Sequence, residues 1–430
     1  MATSAELHAR RMAAIPRGIG QVTQIYAKRA KNAEIWSEDG RRYIDFGAGI
    51  AVVNTGHQHP RIVAAVAEQM QAFSHVCFQV TGHESYVSLA ERLNAIVPVA
   101  GPAKTMLAST GAEAVENAVK VARAFTGRPG VISFAGGFHG RTHMGMALTG
   151  KAVPYKKGFG PFPADIYNIE FPNTYHGTSG EQSLKALKGL FKHQADPSTI
   201  AAIIIEPVQG EGGFNIAPFE FLHALRATAD EHGILLIADE IQTGFARTGK
   251  MFALEHSGVK ADVVTLAKGL AGGFPLSAIS GRADVMDAAN PGGLGGTYAG
   301  NPVACAAAHA VLDIIKDEDL CGRSNAIGRI IKSRCEKLAA TNFNCIGDVR
   351  GLGAMCAVEL VTDKTSGAPA PELTSLLLKT ANENGLILLS CGTYGNVIRF
   401  LVPLTASDAL VSEGMDVFEA SLTEAMTKLS

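Results

Sequence analysis

The segment from Gly233 to Gly273 constrains the fold more than any other stretch. It holds two short apolar runs, Ile234-Leu235-Leu236-Ile237-Ala238 and Val263-Val264-Thr265-Leu266-Ala267, which end on Asp239 and Lys268. Runs of Val, Ile and Leu bounded by glycine and charge read as strands buried on both faces, the pattern of a parallel sheet. Ligands of such sheets sit outside the carboxyl ends of the strands. An acid and an amine are therefore carried to one rim. By themselves the two residues fit a surface ion pair at a strand end as readily as a site.

Around this segment strands and helices alternate. Ala201 to Ile205 reads as a strand leading into Glu206-Pro207 and Val208-Gln209-Gly210-Glu211-Gly212-Gly213, and Phe219 to His232 reads as a helix. Repeated units of this kind predict a mostly parallel sheet covered by helices. Glu206 and Glu211 then lie at or just beyond a strand end, as site residues or as solvated loop acids. Upstream, Thr105-Met106-Leu107-Ala108 runs into Ser109-Thr110-Gly111-Ala112-Glu113 and a helical stretch. A small-residue turn entering a helix offers free backbone N–H groups and the positive dipole end to a phosphate. A tightly capped helix start has the same sequence. The strand Val131 to Phe134 leads to Gly136-Gly137-Phe138-His139-Gly140-Arg141. Phe138 suits stacking on a flat ring and Arg141 suits a carboxylate. In isolation a core aromatic and a solvated arginine are the simpler account.

The outer parts of the chain say less. Asp39-Gly40 marks a hairpin between strands at Trp36 and at Arg42 to Phe46. Gly47, Gly49 and Gly56 frame a loop around Ile50, either a plain linker or one wall of a pocket. His59 to Phe73 has helical spacing, with Ile62, Val63, Val66 and Met70 on one core-facing side. A second helix spans about Gly82 to Val97, and Thr81 with Glu84 matches a capping box. The run Gly292 to Tyr298, which includes Thr297, is either a connector or a close-approach loop. A long helix covers Asn301 to Lys316, and from Asp317 the pattern becomes that of a separate α+β piece. This predicts a large domain over 60–316 and a smaller domain built from 1–59 and 317–430. Arg399 sits in the apolar strand Asn396 to Leu401, where a charge is costly unless paired or turned outward.

Composition excludes several classes. The 430 residues are 47% hydrophobic and 18% charged with a formal net charge of -2, a globular balance with enough chain for more than one domain. There is no basic run, so nucleic acid is not an expected partner. No apolar segment reaches the roughly 20 residues of a membrane span. The N-terminus lacks a signal-peptide core, which leads us to expect a cytoplasmic protein. The seven cysteines are scattered without a CxxC or His–Cys cluster, so neither a disulfide framework nor a metal site is expected.

Four motifs then agree in order. Ser109-Thr110-Gly111-Ala112-Glu113-Ala114, Ala238-Asp239-Glu240-Ile241-Gln242-Thr243-Gly244, Ala267-Lys268 and Gly296-Thr297-Tyr298 occur at spacings that resemble class III (subgroup II) pyridoxal-phosphate aminotransferases over nearly the whole chain. Within that class, Ile50, Arg141, Glu211 and Arg399 are similar to the substrate-recognising set of bacterial 4-aminobutyrate aminotransferases. The resemblance implies an α/β fold of fold-type I, with a mostly parallel central sheet and a smaller α+β domain. It implies pyridoxal 5′-phosphate, which needs an amine for a Schiff base and a carboxylate at its ring nitrogen. Lys268 would supply the amine and move the substrate proton, and Asp239 would supply the carboxylate. Phe138 and Ile241 would sandwich the ring, Gln242 would bond its oxygen, and backbone groups of Gly111 and Ala112 would take the phosphate. Thr297 would complete that phosphate site from a partner subunit, so a homodimer or higher homo-oligomer is expected. Glu206 would line the substrate side.

The substrates implied are an amino donor, 4-aminobutyrate, and a 2-oxo acid, 2-oxoglutarate. Arg141 would bind the distal carboxylate in both half-reactions, and Arg399 the second carboxylate of glutamate. With the monocarboxylate donor Arg399 would face nothing, and Glu211 would neutralise it. Two departures stand out. Ala112 replaces a common Ser, and Phe138 replaces a common Tyr; one lost neutral hydrogen bond weakens cofactor binding by about 1 kcal/mol. Three alternatives share the fold: an ω-aminotransferase for 5-aminovalerate, β-alanine or an acylated diamine; a racemase or aminomutase, for which Arg399 and Glu211 have no use; and a silent binding protein, against which Lys268 and Asp239 both stand.

Overall fold

The central sheet forms where the chain is most continuously apolar. In the computed structural model, which describes residues 2–341 and 343–429, seven strands make this sheet. Met1, Asn342 and Ser430, inside the ranges assigned above to the smaller domain, lie outside the described residues. The strands are β1 (Ala103–Ala108), β2 (Gly130–Phe134), β3 (Ile166–Ile169), β4 (Ile200–Ile205), β5 (Leu235–Asp239), β6 (Val263–Leu266) and β7 (Ser277–Arg282), in the order β1-β7-β6-β5-β4-β2-β3. β7 is antiparallel to both its neighbours, and every other pairing is parallel.

Side chains alternate between the two faces with the period of a strand. Leu235 and Ile237 join Ala202 and Ile204 in a cluster with Ala114, Val115, Ala118 and Val119 of the helix Gly111–Thr126. Leu236 and Ala238 join Ile203 and Ile205 in the other cluster, with Phe221, Leu222 and Leu225 of the helix Phe219–His232. Burying a Leu or Ile stabilises by roughly 2 kcal/mol. A one-residue slip would exchange every side chain between the faces, so packing pins the register. That register places Asp239 opposite Thr265.

A second, antiparallel sheet is built from Ile346–Leu352, Met355–Leu360, Val397–Phe400 and Leu389–Cys391. The N-terminal strands Ala27–Lys31, Glu34–Ser37 and Arg42–Asp45 form a third sheet, extended in parallel by Leu386–Ile387. This pairing ties chain before residue 59 to chain after residue 317. The hairpin turn at Gly40 has φ 78°, in the left-handed region that favours glycine.

Two expectations need correction. The helix Glu84–Ile96 is capped by His83, whose ring accepts from the Tyr86 N–H; Thr81 and Glu84 form no capping box. The chain stays extended through His83, so the helix starts too late for Thr81 to reach it. In the helix Pro60–Ala72 only Ile62 is buried, whereas Val63 and Met70 are 46% and 55% exposed. The apolar stripe is wider than the surface this chain offers it. Ile62 and Val66 pack inward and the Val63–Met70 edge is left open.

Candidate active site

β5 delivers Asp239 to the carboxyl edge of the sheet, and the carboxylate is then held on three sides. Oδ1 accepts from Thr265 Oγ1 at 3.0 Å and from the Ile241 N–H at 3.1 Å. Oδ2 lies 2.7 Å from His139 Nδ1. Asp239 is 3% exposed. Burial works against a charged His139, but the hydrogen bond and charge of Asp239 outweigh it and hold the imidazole above its ordinary value. The acid is a fixed negative charge with a braced orientation. Neither His139 nor Thr265 was singled out from the sequence, because only the strand register and the loop after β2 bring them to Asp239.

β6 delivers Lys268, which begins a short turn with φ 45°. A non-glycine residue in the left-handed region is strained, and such residues cluster at sites. The next residue, Gly269, cannot be larger: a Cβ there would lie 2.6 Å from Asn54 Nδ2. Burial pushes the Lys268 amine down to about 8, with Glu211 opposing and Arg399 adding to the shift. Such an amine is a competent nucleophile and proton carrier near neutral pH.

Asn54 is itself held by a residue the sequence reading passed over. Arg247 is fully buried; Nη2 donates to Asn54 Oδ1 at 2.6 Å and Nη1 to Val402 O at 2.8 Å. Asn54 Nδ2 in turn donates to Phe245 O at 2.9 Å. The turn bearing Lys268 is thus backed by a contact that reaches into the C-terminal part of the chain.

A cavity of about 560 Å³ opens over these groups. Lys268, Asp239, Gly111, Ala112, Phe138, Ile241, Gln242, Arg141 and Glu206 all line it. The helix Gly111–Thr126 starts at its wall, capped by Thr110 and Glu113. The capping leaves the N–H groups of Gly111 and Ala112 without an acceptor among the described residues. Ile241 presses on Gly111, where a Cβ would meet its Cδ1 at 3.0 Å. Glu206, 6% exposed, accepts from the Phe138 N–H at 2.8 Å and the Gly210 N–H at 2.9 Å. It is no solvated loop acid: it fixes the turn that carries Phe138, and burial pushes its carboxyl up. Glu240 lies wholly inside and takes N–H groups of Ala253 and Leu254, so the two adjacent acids of the motif divide into one at the cavity and one in the scaffold.

Four expected residues do not line this cavity. Arg399 and Glu211 form an ion pair at 2.5 Å beside it, with Arg399 5% exposed. Arg399 is therefore not an outward-facing strand residue. Burial raises the Glu211 carboxyl, yet Arg399, Lys268 and Arg141 together hold it below the usual range. Ile50 is 41% exposed with φ 66°, and Val52 reaches the cavity instead. Thr297 is exposed and away from the cavity of its own chain.

The residues present fit pyridoxal 5′-phosphate. A depressed amine faces a braced carboxylate, two free N–H groups stand at the N-terminus of a 16-residue helix, and the buried Gln242 Oε1 has no hydrogen-bond partner among the described residues. Fold and site together define a fold-type I pyridoxal-phosphate-dependent transferase. A family model described as aminotransferase class-III matches residues 15–422, and the chain belongs to that family.

Two curated relatives narrow the comparison. A 5-aminovalerate aminotransferase of Pseudomonas putida is 53% identical, over 98% of this chain and 99% of its own. A 4-aminobutyrate aminotransferase of Escherichia coli is 51% identical, over 99% of this chain and 100% of its own. Among solved structures, a Bacillus anthracis aminotransferase superposes with a TM-score of 0.91 at 28% identity, over 99% of this chain and 100% of that one. The protein is an aminotransferase.

Proposed function

We propose that the protein transfers the amino group of 4-aminobutyrate to 2-oxoglutarate, giving succinate semialdehyde and glutamate. The observation that carries this reading is the Arg399–Glu211 pair beside a cavity lined by a second arginine, Arg141, which forms no salt bridge among the described residues. Arg141 is free to take the distal carboxylate of either substrate. Arg399 is neutral in effect while Glu211 faces it, which suits a donor with one carboxylate. It becomes a second carboxylate site when Glu211 turns aside, which suits glutamate and 2-oxoglutarate. A buried charge left alone costs several kcal/mol, so an enzyme that alternates between the two substrates gains from such an exchange.

Pyridoxal phosphate, when bound, supplies an electron sink that acidifies the substrate carbon bearing the nitrogen. Lys268 would hold the cofactor through its amine and carry the proton that leaves one carbon and returns to another. Asp239, with His139 behind it, would keep the ring nitrogen protonated. Phe138 and Ile241 would hold the ring faces, Gln242 the ring oxygen, and the Gly111 and Ala112 N–H groups the phosphate. Ile50 would border the substrate. Thr297 of the partner subunit would complete the phosphate site; the exposed Val63, Met70, Phe73 and Tyr298 support a homodimer.

A second reading, 5-aminovalerate as donor, is favoured by relatives of that name at 53% and 52% identity. It uses the same arginines with one more methylene between the groups. Initial rates with 2-oxoglutarate and 4-aminobutyrate, 5-aminovalerate, β-alanine or acetylornithine decide between them. The proposal expects the highest kcat/KM for 4-aminobutyrate; a higher value for 5-aminovalerate replaces it with the second reading.

A further inference from the structure

We infer that Tyr155 is a positioning residue for substrate specificity: its ring and that of Phe138 together form an aromatic seat that aims the guanidinium of Arg141 without occupying its hydrogen-bond donors. Arg141 Cζ lies 5.1 Å from the Phe138 ring centroid and 5.4 Å from that of Tyr155. The two rings are themselves 5.0 Å apart and inclined by 58°. An arginine held by a carboxylate would have its donors spent; one held by aromatic faces keeps all five N–H groups for a ligand. This deepens the proposed function and rests on its assignment of Arg141 to the distal carboxylate.

The placement of Tyr155 is built into the scaffold. The Gly137 carbonyl accepts from the Gly150 N–H at 2.8 Å and the Gly150 carbonyl from the Gly136 N–H at 3.2 Å. The loop bearing Tyr155 therefore leaves from the same turn that carries Phe138. A Cβ at Gly150 would lie 2.3 Å from Phe134 O, so the approach needs glycine there. Beyond it, Lys151 Nζ donates to Gly392 O at 2.9 Å and Lys156 Nζ to Ala147 O at 3.1 Å, which pins the loop on both sides of Tyr155. Tyr155 is half-buried, and its hydroxyl bonds to no atom among the described residues. Burial pushes the phenol above its ordinary value; Glu211 adds to the rise while Arg141 and Arg399 oppose it, so the ring lies within reach of the charges proposed to read both carboxylates.

The test compares Y155L, Y155F and R141Q holoenzymes on donors with and without a distal carboxylate. Y155L is expected to raise KM for 4-aminobutyrate and for glutamate by about 5-fold, the factor for one lost cation–π contact, with kcat within about 2-fold. Butylamine, which has no carboxylate, should keep its kcat/KM. Y155F retains the ring and should rescue KM. Thermal melting of each variant reports whether it is folded. An equal loss for butylamine and 4-aminobutyrate in Y155L means a merely structural role and overturns the inference. So does an unchanged KM in Y155L when R141Q loses carboxylate donors selectively. Failure of R141Q itself to discriminate overturns the proposed reading of Arg141 and the inference together.

Discussion

Replacing Glu211 with Gln tests the charge exchange most directly. Glu211 feels three cations, Arg399, Lys268 and Arg141. Removing one member of a fully buried pair costs about 3–5 kcal/mol. The Arg399 side chain is 5% exposed but that of Glu211 is 19% exposed, so water at the cavity edge lowers the figure to about 2 kcal/mol. That corresponds to roughly a 30-fold fall in kcat/KM. The loss should fall on the 4-aminobutyrate half-reaction, in which nothing else neutralises Arg399. In the glutamate half-reaction the second carboxylate would, on the proposed reading, replace Glu211, and the variant should lose little. Glu211 also raises the Lys268 amine, so the acid limb of the surviving activity should move to lower pH in E211Q. Single-turnover stopped-flow absorbance of the cofactor with each donor separates the halves. Equal losses in both would refute the exchange.

Other perturbations probe other parts of the site. With its amine at about 8, Lys268 is about one-tenth neutral at pH 7, against roughly one part in 3,000 for an ordinary lysine. Reconstitution of the apoenzyme with cofactor should therefore speed up with rising pH with a midpoint near pH 8; a midpoint near 10 would show that burial does not depress this amine. Ala112→Ser should tighten the cofactor dissociation constant by about 5-fold, the worth of one neutral hydrogen bond, and an unchanged constant would make the missing hydroxyl irrelevant. Gly328→Ala would put a Cβ 1.9 Å from Gly353 O. Overpacking of that kind should cost about 3 kcal/mol, read as a lower urea midpoint, and an unmoved midpoint would mean that the helix Leu320–Ala340, which carries Gly328, can shift freely.

The legibility of the chain varied with the range of the interactions involved. The helix Phe219–His232 and strands β4 to β6 were plain because a run of Ile, Val and Leu is itself the signal for burial on both faces. The start of the helix Gly111–Thr126 was equally plain, since its cap lies within four residues. The core side of the helix Pro60–Ala72 was misjudged. An apolar stripe shows that burial is favourable, not which neighbour supplies it, and one chain covers only the Ile62 edge.

Local pattern was enough to place the acid and the amine at one rim, because each ends an apolar strand; their proposed roles came from the resemblance, not from that placement. It marked the turn at Gly111 and Ala112 as a helix start for the same reason, without separating a capped end from a phosphate cradle. Pairings between residues far apart in sequence are not legible in local pattern; the Arg399–Glu211 pair was expected from the resemblance alone, and the others came only from packing. His139 meets Asp239 across 100 residues and Arg399 meets Glu211 across 188. Arg247 reaches Asn54 across 193. No spacing rule links such positions; the sheet order and the crossing of the C-terminal strand bring them together. From its own strand pattern Arg399 could only be recognised as a charge needing a partner; the folded chain brings Glu211 to it.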